Sequence, residues 1–151
     1  MRKIAIILII LLVAVLAYWL GKSDWRPFKN ELKVTEMGNV LEKMDKIQLT
    51  GPLPGDKVKS PLQITGQARG PWFFEASFPL VVVDWDGKII GQSFAQAKGE
   101  WMTTDWVDFK GTIEFTPDTK VSNRGALILR KDNPSGLPEH DDALEIPIFF
   151  E

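Results

Sequence analysis

The sequence predicts an all-β domain, an antiparallel β-sandwich of about seven strands, preceded by one N-terminal transmembrane helix and a short, partly helical linker. Three observations predict it. Apolar and polar residues alternate through Val107–Phe115 and again through Leu144–Phe150, the mark of strands with one buried face. Asp86-Gly87 stands between two apolar runs, a strong short hairpin signal. Seventeen residues, Ile4 to Leu20, carry no charge. The organisation that follows is 1–20 membrane anchor, 21–46 juxtamembrane linker and 47–151 β-sandwich domain.

A helix over Ile4–Leu20 spans about 26 Å, just short of a bilayer's hydrocarbon core. Arg2 and Lys3 precede it, so the positive-inside bias keeps the N-terminus cytoplasmic and sends the rest outside. Tyr18 and Trp19 fall where an outer aromatic belt lies. Val15-Leu16-Ala17 offers a small-residue site for a cleaved signal peptide, the competing reading. The apolar run continues past Ala17 into two bulky aromatics and Leu20, which favours a retained anchor in the cell membrane. In the linker, Val34, Met37, Leu41 and Met44 follow a helical rhythm that Gly38-Asn39 interrupts. That is too short for a coiled coil and reads as a spacer.

From Ile47 onward the period is two. Ile47–Thr50 forms a short first strand, Leu62–Arg69 a second, and Phe78–Trp85 and Lys88–Ala97 the arms of the Asp86-Gly87 hairpin. Val107–Thr116, Ala126–Leu129 and Leu144–Phe150 complete the set. Pro147 cannot donate to a ladder, so the last strand runs at an edge or carries a bulge. Two stacked sheets bury one face of each strand, which makes the architecture immunoglobulin-like, with a small closed barrel as the alternative. No cysteine pair holds it, and the single tyrosine lies in the anchor.

The stretch Lys59–Pro79 resembles the opening of the immunoglobulin-like domain of bacterial spore germination proteins. Gly91–Ala97 and Glu100–Trp106 resemble its middle and Asp132–Pro147 its end, so the resemblance runs from about Asp56 to Phe150. In that family the domain often stands beside a GerMN domain, and also alone on anchored envelope proteins of bacteria that make no spores. The resemblance implies an extracytoplasmic domain with an immunoglobulin-like fold and no established catalysis.

Seven strands in antiparallel succession put three unusual loops at one pole. They are Arg69–Glu75, Lys98–Trp106 and Asp132–Asp142. The pole gathers Arg69, Trp72, Phe73, Phe74, Trp101, Trp106 and His140 with the carboxylates Glu75, Glu100, Asp105, Asp132, Glu139, Asp141 and Asp142. Aromatics supply contact area and polar groups orientation, so this is the candidate binding surface, suited to envelope proteins, peptides or glycans. Against it stands a loop core of Trp72, Trp101 and Trp106, with Arg69 paired to Asp105 or Asp132 only to satisfy its charge. The first strand starts at this pole, so the linker is expected to attach there and the pole to face the membrane.

Composition excludes much else. With no cysteine and one histidine, the chain has no disulfide framework, thiolate metal site, iron–sulfur cluster or two-imidazole centre. A net charge of −2 leaves no footprint for nucleic acid. Glu139-His140-Asp141-Asp142 does not have the spacing of a calcium loop, and adjacent residues of an extended run point apart, so no metal and no cofactor is expected. Ser135, His140 and Asp141 share one short loop without an oxyanion device. The reading is a non-catalytic binding or scaffolding module. A purely structural spacer and a small glycan-cleaving enzyme using paired carboxylates are the alternatives. Oligomeric state is not legible.

Overall fold

The computed structural model describes residues 37–151. The expected anchor, 1–20, and the linker residues before Met37 lie outside the described residues. One helical turn, α1 (Val40–Lys43), precedes eight strands: β1 (Ile47–Gly51), β2 (Lys57–Val58), β3 (Leu62–Arg69), β4 (Ser77–Asp84), β5 (Ile89–Ala97), β6 (Trp106–Ile113), β7 (Arg124–Arg130) and β8 (Ala143–Phe150). Their hydrogen-bonded order is β1-β3-β6-β5-β4-β7-β8-β2, antiparallel except where β2 runs parallel to β8.

Two separate stacked sheets were the expectation; the strands instead form one sheet curled on itself. The join is β5. It pairs with β4 over seven residue pairs, but with β6 only at Ala95–Gly111, Gln96–Lys110 and Ala97–Phe109. A strand that changes layers in this way makes the corner of a folded sheet. Gly111 permits the close passage, since a Cβ there would stand 2.5 Å from Leu80 Cδ1. The ends of the order, β1 and β2, do not pair, so the barrel is not closed.

The predicted alternation is the observed burial. Val107, Phe109 and Ile113 of β6 and Leu144, Ile146, Ile148 and Phe150 of β8 all face the core. Phe78 of β4 meets Phe109 of β6 edge-on, with ring centroids 4.9 Å apart. These strands are not neighbours in the sheet, so the contact crosses the core. Phe115 and Phe150 close the opposite end, 5.5 Å apart. Each such ring contributes roughly 1.5–3 kcal/mol of burial.

The hairpin forms at Asp86-Gly87. The Asp84 carboxylate accepts from the Asp86 and Lys88 amides, and Gly87 takes φ +79°, a conformation that suits glycine. The last strand was expected at an edge or with a bulge. β8 instead lies between β7 and β2, in unbroken register with β7. β2 covers only Phe149 and Phe150, however, and leaves the outer side of Pro147 without a strand. Odd-numbered residues of β8 turn their amides away from β7, Glu145 to Asn39 Oδ1 and Phe149 to Asp56 O. The missing N–H of Pro147 therefore falls on the outer side, where the β7 ladder needs no donor.

The end of the linker differs from expectation. Only one turn is helical, starting just after the Gly38-Asn39 interruption. Leu41 and Met44 of the anticipated apolar stripe are exposed, and Val40 packs on the core instead. Gly38 lies against Glu145 and Pro147, so close that a Cβ would stand 2.0 Å from Glu145 O. The described chain thus enters along the flank of β8 and runs towards the pole. The open edge of β8 supplies hydrogen-bonding groups that Asn39 takes up, and the last linker residues reach the pole, where Lys43 and Lys46 pair with Asp142.

Candidate functional site

The pole is built outward from β3. At its end, Gly70–Trp72 turns in a 3-10 helix with Pro71 in its first turn. The Gly70 amide donates to Asp105 O at 3.2 Å, tying this loop to the one before β6. Trp72 O accepts from the Asp132 amide at 3.0 Å, tying it to the loop before β8. Gly70 is required for the first contact, because a Cβ would fall 1.7 Å from Thr103 O.

These loops enclose a recess of about 450 Å³. The first loop contributes Arg69, Pro71 and Trp72, and the second Thr104. The third contributes Glu139, His140, Asp141 and Asp142, with Lys46 and Lys131 completing the wall. A shallower groove of about 350 Å³ beside it holds Trp101 and the exposed Met102 against Pro71 and Phe73.

Arg69 was expected beside Asp105 or Asp132 and pairs with neither. Its guanidinium lies over the Trp106 ring at 4.3 Å, its Nε donates to Asp45 O at 3.3 Å and a terminal nitrogen to Thr104 O at 3.5 Å. The reason is register: β3 and β6 set Arg69 directly opposite Trp106, and cross-strand partners on one face stack. Asp105, one residue earlier, is engaged by the Thr103 hydroxyl at 3.4 Å.

The other expected residues divide. Glu139, His140 and Asp141 line the recess, and Trp106 lies beneath its arginine. Trp72 and Phe73 are only 2% and 4% exposed, so they act mainly as core. Phe73 stacks obliquely on Phe78. Glu75 sits at φ +49° in the tight turn that starts β4, away from the recess. Asp132 lines a separate cleft with Asn39 and Lys43. Among the described residues, no stacked ring pair joins two of the three pole tryptophans, while Trp101 packs against the core cluster that contains Trp72. The Trp72 indole N–H is buried without a hydrogen-bond partner.

The third loop is fastened at its base. The Lys131 amide donates to Asp142 O, and its ammonium to His140 O at 2.9 Å. Asn133 donates to Leu137 O and to Asp141 Oδ1, while the Ser135 hydroxyl turns to Asn133. Ser135, His140 and Asp141 are therefore not linked in a relay. Among the described residues, no three carboxylate or imidazole groups converge as metal ligands.

Sequence reasoning missed Lys46, Thr104 and Lys131, and gave Asp142 no role beyond its charge. Asp142 receives Lys43 at 2.6 Å and Lys46 at 2.7 Å. Burial pushes its carboxyl up, but the hydrogen bonds and charges of the two lysines outweigh this and hold it below the usual range. The same hydrogen bond and charge raise Lys46. The available signal was topology: β1 starts at this pole, so the residues just before it had to lie there too.

The curled sheet, its strand order and its loop-built pole define an immunoglobulin-like β-module. The family model described as the immunoglobulin-like domain of bacterial spore germination matches residues 46–136, and the chain belongs to that family. The match runs from the edge of β1 into the third loop, and the resemblance read from Lys59–Pro79 and Glu100–Trp106 is borne out. No curated protein and no solved structure matches the chain.

Proposed function

We propose that this chain is a membrane-anchored envelope protein whose immunoglobulin-like domain is a non-catalytic binding module, with the loop pole as its binding surface. One observation carries the reading: three loops separated in sequence, locked by backbone hydrogen bonds, converge on a single recess. A rigid scaffold presenting loops is how sandwich domains bind. The anchor is Ile4–Leu20, with Arg2 and Lys3 on the cytoplasmic side. Among the described residues no helix is long and apolar enough to cross a membrane, so this part rests on the sequence.

Screening the protein against envelope glycans and peptides tests the binding reading, with pole variants as controls. Capture that survives loss of Arg69 and Trp101 together would overturn it. External protease on cells carrying a C-terminal tag tests topology; a soluble product starting near Tyr18 would replace the anchor by a signal peptide. A structural spacer is the second reading, favoured by the burial of Trp72 and Phe73. It predicts no capture at all.

A further inference from the structure

We propose that the recess is a carboxylate site, with Arg69 as the group that takes the anion; this rests on the pole being a binding surface. Every contact the structure gives the Arg69 guanidinium is neutral: the Asp45 and Thr104 carbonyls and the Trp106 ring. Both ion pairs among the described residues belong to Asp142, so Arg69 has no carboxylate partner there. A guanidinium carries five N–H donors, and only two of its nitrogens are engaged here. Stacking and the two carbonyls hold its plane in place, so little freedom is lost when an anion arrives.

The rest of the wall narrows the ligand. Lys131 is a second cation whose one side-chain hydrogen bond goes to a neutral carbonyl, His140 O. Lys46 is cancelled by Asp142. Glu139 and Asp141 share the recess and oppose a multiply charged anion such as phosphate. A single planar carboxylate carries one charge, meets less of that repulsion and matches the guanidinium fork. Pro71, exposed on the wall, offers apolar surface to the carbon attached to it. The volume, about 450 Å³, suits a small organic acid or the carboxyl end of a peptide.

The test uses the full chain in detergent, titrated with N-acetylalanine, its neutral amide, and inorganic phosphate, followed calorimetrically and by the Arg Nε–H resonances in NMR. N-acetylalanine should saturate, perturb one arginine resonance and bind at least about tenfold more tightly than the amide or phosphate. Arg69→Gln should abolish binding, and Arg69→Lys, which keeps the charge but loses the fork, should weaken it. Glu139→Gln should tighten it and admit phosphate. A peptide with a free C-terminus competing better than N-acetylalanine identifies the peptide source; the reverse identifies a small acid. Equal binding of acid and amide, undiminished binding by a folded Arg69→Gln, or preference for phosphate overturns the proposal. If envelope fragments bind at the pole while N-acetylalanine neither binds nor competes, the carboxylate assignment fails and the pole reading stands. If nothing binds, both fail.

Discussion

Asn39 and Glu145 exchange hydrogen bonds as two strands would. Asn39 Oδ1 accepts from the Glu145 amide at 2.8 Å, and its own amide donates to Glu145 O at 3.3 Å. Its Nδ2 reaches Ala143 O at 2.8 Å. One side chain thereby covers the part of β8 that β2 leaves open, the kind of edge that otherwise invites pairing with another chain.

Asn39→Ala should destabilise the domain by about 1–2 kcal/mol, read from denaturant unfolding, because two side-chain hydrogen bonds are lost. Amide exchange at Glu145 should quicken. Asn39→Asp, which keeps the acceptor and loses the donor, should restore protection at Glu145 while leaving Ala143 O unpaired.

Asp142 sets an acid limit. Its carboxyl titrates below its unfolded value of roughly 3.9, so its contribution is present above that value and is lost as pH falls through the folded one. Lys46, raised, contributes below about 10.4 and loses that contribution as pH rises through its folded value. Asp142→Asn should cost about 1 kcal/mol at pH 7 and flatten the stability profile below pH ~4. An unchanged acid limb would show that the two lysines do not hold this carboxylate in solution.

Gly70→Ala should push apart the first and second loops, since the new methyl would meet Thr103 O and Trp101 O. The expected result is a folded sheet with altered resonances for residues 101–105 and a lowered melting temperature. A crystal structure with the loops unmoved would contradict it.

The pole tryptophans should separate by stability. Trp72→Ala removes a side chain only 2% exposed and should cost about 3–5 kcal/mol. Trp106→Ala removes a half-buried ring and the stack under Arg69, and should cost about 1 kcal/mol. Equal losses would mean that Trp106 is as much core as Trp72.

What the sequence determined by itself is local. Alternation along Val107–Ile113 predicts which residues of β6 are buried, because neighbouring side chains of a strand must point to opposite faces. Asp86-Gly87 fixes the hairpin, since its turn demands positive φ, and Pro147 marks an outward-facing edge, since it lacks a donor. What only the tertiary structure decided is which distant segments meet. β2, two residues long, is too short to leave a pattern and exists through its pairing with Phe149 and Phe150. The step of β5 between layers depends on the room that Gly111 leaves for Leu80. Arg69 carries no mark of whether an acid or an aromatic will face it; the β3–β6 register chose Trp106. Asp142 likewise finds Lys46 across 96 residues of chain. Periodicity is a property of adjacent residues, whereas partner choice comes from the packing of the whole sheet, and the recess is made almost wholly of such choices.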